Sequence, residues 1–121
     1  MRNQPKYNFF KNSSYALYGL VDIIKHETSF KIELFLFVLL TPFIVFVEAE
    51  LIYKLFLFTS LLGMLIAESI NSAIERVVDL VTLDHHHMAK RAKDVGSSIV
   101  FLSIFLFVIT WGMILYHIFK G

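Results

Sequence analysis

Residues 34–47 run for fourteen positions without a charged side chain. Two further stretches resemble it. Residues 55–67 contain only Thr59 and Ser60 as mildly polar members, and residues 95–119 form a third apolar run. Such runs decide the fold class first. In lipid every backbone polar group must be satisfied by the chain itself, and a helix does this within one segment. With one turn added before residue 34, the first run approaches the ~20 residues that cross a bilayer as a helix. We therefore expect an all-α membrane protein, a single domain over residues 1–121. It has an N-terminal amphipathic surface helix at 13–28 and transmembrane helices at 30–47, 51–83 and 95–119. The 57% hydrophobic content is too high for a water-soluble fold of this size. The absence of cysteine excludes disulfides and thiolate metal sites. A net charge of +1 gives no footing for nucleic-acid binding.

The first twelve residues, with Arg2, Pro5, Lys6 and Lys11, read as a mobile basic terminus. Beyond it Leu17, Leu20, Val21 and Ile24 recur at i, i+3, i+4 and i+7. Ser13 or Ser14 is placed to cap this helix. The segment is too polar to span and suits the membrane surface with its apolar face down. Pro42 is expected to kink the first span or end its regular part. The second span is longer than a bilayer requires, so its last third protrudes or lines a protein interior. A polar loop or short helix follows over 82–93, and Trp111 and Tyr116 suit an interfacial aromatic belt. Arg2, Lys6, Lys11, Lys25 and Lys31 precede the first span, while Arg76, Lys90, Arg91 and Lys93 lie between the second and third. Only Lys54 and Lys120 fall elsewhere. This asymmetry places the N-terminus in the cytoplasm and the C-terminus outside.

Within the second span the chain turns polar on one side only. At about 100° per residue, with Glu68 as zero, Asn71 falls near −60°, Glu75 near −20° and Asp79 near +20°. All four share one face, and Ile70, Ala73, Ile74, Val77 and Val78 occupy most of the rest. A carboxylate at membrane depth costs at least ~2.5 kcal/mol, so the stripe needs a purpose. A helix leaving the membrane explains Asp79. It does not explain Glu68, which Ile70, Ala73 and Ile74 still follow.

Three regions are positioned to converge at the cytoplasmic surface. They are Glu27 at the end of the surface helix, the stripe Glu68, Asn71 and Glu75, and the group Lys90, Lys93, Asp94 and Ser97. Carboxylates from separate helices make an oxygen-rich site suited to Mg²⁺, which keeps waters and often bridges phosphates. A lysine adds a point charge for phosphate. A carboxylate among apolar neighbours becomes a stronger base. These are the parts of a phosphoryl-transfer site, where positioning and charge neutralisation supply most of the catalysis. The chain has no GxxxxGK[ST] loop and no soluble-kinase motif. Three spans can hardly enclose such a site alone, which points to an oligomer.

The string Glu68-x-x-Asn71-Ser72-Ala73-Ile74-Glu75-x-x-Val78-Asp79 resembles the signature of the small integral-membrane diacylglycerol kinases of bacteria, a family that includes undecaprenol kinases. Ala92-Lys93-Asp94-x-Gly96-Ser97 and the Ile109-Thr110-Trp111 ending resemble it too, and the likeness covers nearly the whole chain. The resemblance implies a homotrimer in the bacterial inner membrane that moves the γ-phosphate of ATP to the primary hydroxyl of diacylglycerol, with Mg²⁺. It implies Glu68 as the general base and Glu27 and Glu75 as metal ligands. It implies Tyr15, Glu27, Asn71, Glu75, Asp84, His85, His86, Lys93 and Asp94 around ATP, and Glu33, Glu68, Ser97 and Trp111 near the lipid. Asn8 and Tyr18 depart from the family, standing where relatives often carry a basic residue. Undecaprenol is the alternative acceptor. A reading of another class makes Glu68 and Glu75 a proton relay in a small transporter or channel subunit. That reading leaves Lys93 and Asp94 without a purpose.

Overall fold

The structure is a computed structural model that describes residues 6–120. Residues 1–5 of the expected basic terminus lie outside the described residues. Four helices follow one another: α1 (Phe9–His26), α2 (Thr28–Phe46), α3 (Leu51–Val81) and α4 (His87–Phe119). The last three are long and apolar enough to cross a membrane. In α3, 39% of the most apolar window is buried, against 11% in α2 and 6% in α4. α3 is therefore the central helix. α4 packs against it most extensively and α2 less so.

α1 starts earlier than the serines suggested. The Asn8 side chain accepts from the Lys11 backbone N–H at 3.1 Å and caps the helix. Ser14 instead donates to the Phe10 carbonyl from inside it. α1 and α2 meet at a single extended residue, Glu27, which ends one helix and starts the next. α2 continues through Pro42 to Phe46, so the proline does not end it. Lys54, near the start of α3, donates from Nζ to the Val45 carbonyl at 2.9 Å. That occupies one of the carbonyls left free at the end of a helix. α4 begins at His87, so the later part of 82–93, read as a loop or short helix, forms the first turns of α4. The His86 ring accepts from the Met88 N–H at 3.1 Å and caps that start.

The core lies in the first half of α3. Leu57 and Leu61 are fully enclosed, with Ile44, Met64 and Trp111 packed around them. Trp111 corrects the aromatic-belt expectation. It is 7% exposed and packs against Phe43 and Phe107. Its indole N–H donates to Ser60 Oγ at 3.0 Å and to the Leu57 carbonyl at 3.2 Å. Burial of an indole is tolerated when its N–H finds a partner, and Ser60 supplies one in mid-helix. Tyr116 does remain exposed.

Candidate active site

Beyond the core, the face of α3 that meets its neighbours changes character. Glu68, Asn71 and Ser72 are buried, and Glu75 is half-buried. Glu68 lies about 16 Å along the helix from Leu57, at 1.5 Å per residue. The acidic end and the Trp111 packing are thus separate places. Trp111, expected near the lipid, does not line the acid cluster but packs in the apolar core.

Asn71 and Glu75, one turn apart, are joined by a hydrogen bond from Asn71 Nδ2 to Glu75 Oε1 at 2.9 Å. The amide is held from behind by α4. A Cβ added at Gly96 would stand 2.5 Å from Asn71 Oδ1. An added methyl there would have to push the Asn71 amide aside. Glu33 on α2 is a neighbour of Glu68, and Glu68 is within electrostatic reach of both Glu75 and Glu27. Carboxyl groups from α2, α3 and the α1–α2 corner thus lie on the side of α3 that carries Glu68. Two oxygens there, Glu33 Oε2 and Asn71 Oδ1, are buried without a hydrogen-bond partner among the described residues. Buried acceptors normally have a partner. A set of acceptor oxygens with unused capacity calls for a cation or an incoming hydroxyl donor.

Glu27 enters this region from the side. Its Oε1 accepts from Ser72 Oγ at 2.6 Å, and from Arg76 Nη2 at 3.1 Å and Nε at 3.4 Å. Arg76 also pairs through Nη1 with Asp22 on α1. The Ser72 hydroxyl, and then the Arg76 guanidinium, hold the Glu27 carboxyl below its ordinary range. The Arg76 hydrogen bond does the same for Asp22, with a smaller contribution from His26. Both stay ionised at neutral pH. The side chain of Glu27 pairs with Arg76 and not with Lys31, whose backbone N–H bonds the Glu27 carbonyl.

The loop between α3 and α4 forms the wall of a second feature. A cleft of about 380 Å³ is lined by Asp79, Asp84, His85, His86, Lys93 and Asp94, among others. Asp79 Oδ1 pairs with Lys93 Nζ at 2.6 Å, while Lys90 pairs with Asp94 at 2.7 Å along α4. Ser97 is exposed on α4. Tyr15 is apart from these groups, on the exposed side of α1, where it lines a different cleft with Lys6, Tyr7 and Lys11.

Three participants, Ser72, Arg76 and Asp22, escaped the sequence reading. On the same helical wheel Ser72 falls near +40° and Arg76 near +80°. The polar sector of α3 is therefore wider than its acids alone suggest, and its far edge is the one that meets α1. Asp22 gave no signal of its own on an exposed helix.

The donor set fits a hard divalent cation. It offers carboxylate and amide oxygens, which such ions prefer. Among the described residues no cluster of three or more metal-ligating side chains stands ready.

Fold and site together define an α-helical membrane protein with a buried acidic site where its apolar core gives way to polar surface. The chain belongs to the prokaryotic diacylglycerol kinase family, whose sequence model matches residues 14–115. It is 36% identical to a diacylglycerol kinase of Haemophilus influenzae over 109 residues, covering 90% of this chain and 92% of that protein. It is 33% identical to a diacylglycerol kinase of Escherichia coli over 106 residues, covering 88% and 87%. An undecaprenol kinase of Bacillus subtilis is 35% identical over 94 residues, covering 76% and 75%.

Proposed function

We propose that this protein is an ATP-dependent lipid kinase that transfers the γ-phosphate of ATP to the primary hydroxyl of diacylglycerol, giving phosphatidic acid. The observation that carries this reading is the acceptor-rich cluster of buried Glu68 and Asn71 with half-buried Glu33 and Glu75, at the end of an apolar core, in a member of this family. Glu68 takes the proton from the lipid hydroxyl, a role its buried position among apolar residues supports. Glu27 and Glu75 would hold Mg²⁺, which when bound neutralises charge on the phosphates. Asn71 orients Glu75 through the 2.9 Å hydrogen bond. Asp84, His85, His86, Lys93 and Asp94 receive the nucleotide in the 380 Å³ cleft they line. Binding there recruits Lys93 from Asp79 to phosphate. Glu33 and Ser97 lie beside the lipid, and Trp111 contributes indirectly by fixing α4 on α3.

We place the protein in the bacterial inner membrane as a homotrimer, with the N-terminus in the cytoplasm, the C-terminus outside and α1 on the membrane surface. The exposed apolar side chains of α2 and α4 support this, since they need lipid or other copies to cover them. The B. subtilis relative supports a second acceptor, undecaprenol. The test is an assay of the purified protein with Mg-ATP, short-chain diacylglycerol and undecaprenol in competition. Phosphatidic acid should be the main product, and Glu75→Gln should abolish it. Preferential phosphorylation of the polyprenol would transfer the reading to the second acceptor, and no phosphorylated lipid at all would end it.

A further inference from the structure

All three side-chain hydrogen bonds to Glu27 land on one atom. Oε1 takes Ser72 Oγ, Arg76 Nε and Arg76 Nη2, and Oε2 accepts none among the described residues. The donors come from α3, while Glu27 sits at the corner between α1 and α2. The corner is therefore fixed in place by one side of a carboxylate while the other side remains available. A carboxylate that binds a metal through one oxygen is commonly oriented by hydrogen bonds to the other. A cation this close would normally offset the carboxylate's pull on a metal ion. Here Asp22 pairs with the far end of the same guanidinium. Asp22, Arg76 and Glu27 together retain one negative charge, so the attraction for a divalent cation is preserved.

We infer that Arg76 and Ser72 are positioning residues that clamp Oε1 of Glu27 so that Oε2 is presented to a divalent cation, with Asp22 balancing the Arg76 charge. The inference rests on the kinase reading of this site and adds residues to it that the acidic stripe does not contain. It differs from a plain tether between α1 and α3, which would lower stability and leave the ion's affinity alone.

The experiment uses the full chain in lipid nanodiscs. Mn²⁺ replaces Mg²⁺ as a paramagnetic probe, with a non-hydrolysable ATP analogue present. Bound and free ion are counted by electron paramagnetic resonance, and thermal stability is measured in parallel. Arg76→Met and Ser72→Ala should each weaken Mn²⁺ binding by about tenfold, the lower end for the loss of an outer-shell partner. Asp22→Asn should weaken it less, because the clamp survives and only the charge balance is lost. In turnover with Mg-ATP, Ser72→Ala should raise KM more than it lowers kcat. Unchanged Mn²⁺ affinity in folded Arg76→Met and Ser72→Ala would reduce the network to a tether and overturn the inference. Tighter binding in Arg76→Met would overturn it as well, by making the arginine a competitor of the ion. Should Arg76→Met fail to fold, Ser72→Ala decides alone. Wild-type protein that binds no Mn²⁺ sinks the kinase reading and this inference together. Wild-type binding with indifferent variants sinks only the inference.

Discussion

Around Leu57 and Leu61, α3 is held to its neighbours by apolar side chains, with one indole N–H as the polar exception. Around Glu68 to Arg76 the same helix is held by hydrogen bonds and charge, reaching α1 and the α1–α2 corner. The first region tolerates exchange of one apolar shape for another, because burial energy has no direction. The second depends on direction, since each donor must meet a particular oxygen. One helix thus carries an apolar half and a polar half, and the proposed chemistry falls on the polar one.

The largest effect that would test this contrast is on catalysis. Glu68→Gln preserves shape but removes the carboxylate proposed as the base, and kcat should fall by about 10²- to 10⁴-fold. Stability should hold or rise, because a buried carboxyl is replaced by a neutral amide. A large loss of stability with little loss of rate would make Glu68 a structural residue and erase the contrast.

Gly96→Ala should come next. The added Cβ clashes with the tip of the Asn71 side chain, which can move aside, and meets Ile74 Cδ1 at an ordinary contact of 3.5 Å, so the unfolding temperature should change little. Moving that amide releases Glu75, and a misplacement of about 1 Å can reduce turnover by as much as ~100-fold. Kinetics and thermal unfolding on the same preparation check both halves of the expectation.

Trp111→Phe probes the other region. It keeps the aromatic packing and deletes the donor to Ser60 and Leu57. Stability should drop by about 1–2 kcal/mol in denaturant titration. Activity per folded molecule should stay near wild type.

Acid should act on the polar half first. Asp22 and Glu27 are both held below their ordinary values of 3.8 and 4.5, the first chiefly by Arg76 and the second chiefly by Ser72. Their contribution is fully present above those values and is lost as pH falls through the lowered ones. The docking of α1 on α3 should therefore weaken below about pH 4.5, seen as faster amide exchange in α1, while the Leu57 core persists. Asp22→Asn should remove part of that pH dependence.

The smallest effect is expected at Lys93 and Asp79, whose side chains are 41% and 47% exposed. Breaking that pair alone should change stability by about 0.2–1 kcal/mol in a double-mutant cycle.

Sequence alone determined the membrane class, because residues 34–47 and 95–119 leave the backbone no other way to satisfy itself in lipid. It also gave the acidic face of α3, since Glu68, Asn71 and Glu75 follow a helical period that can be read from spacing alone. It could not give the partners. Ser72 meets Glu27 across 45 positions and Trp111 meets Ser60 across 51, and such meetings depend on how helices pack. Helix packing also decided that Trp111 is core and not belt, that Asp79 pairs with Lys93, and that Gly96 touches Asn71. Periodicity is a property of one helix and is written locally. Which oxygen of Glu27 is occupied depends on three elements meeting at one corner.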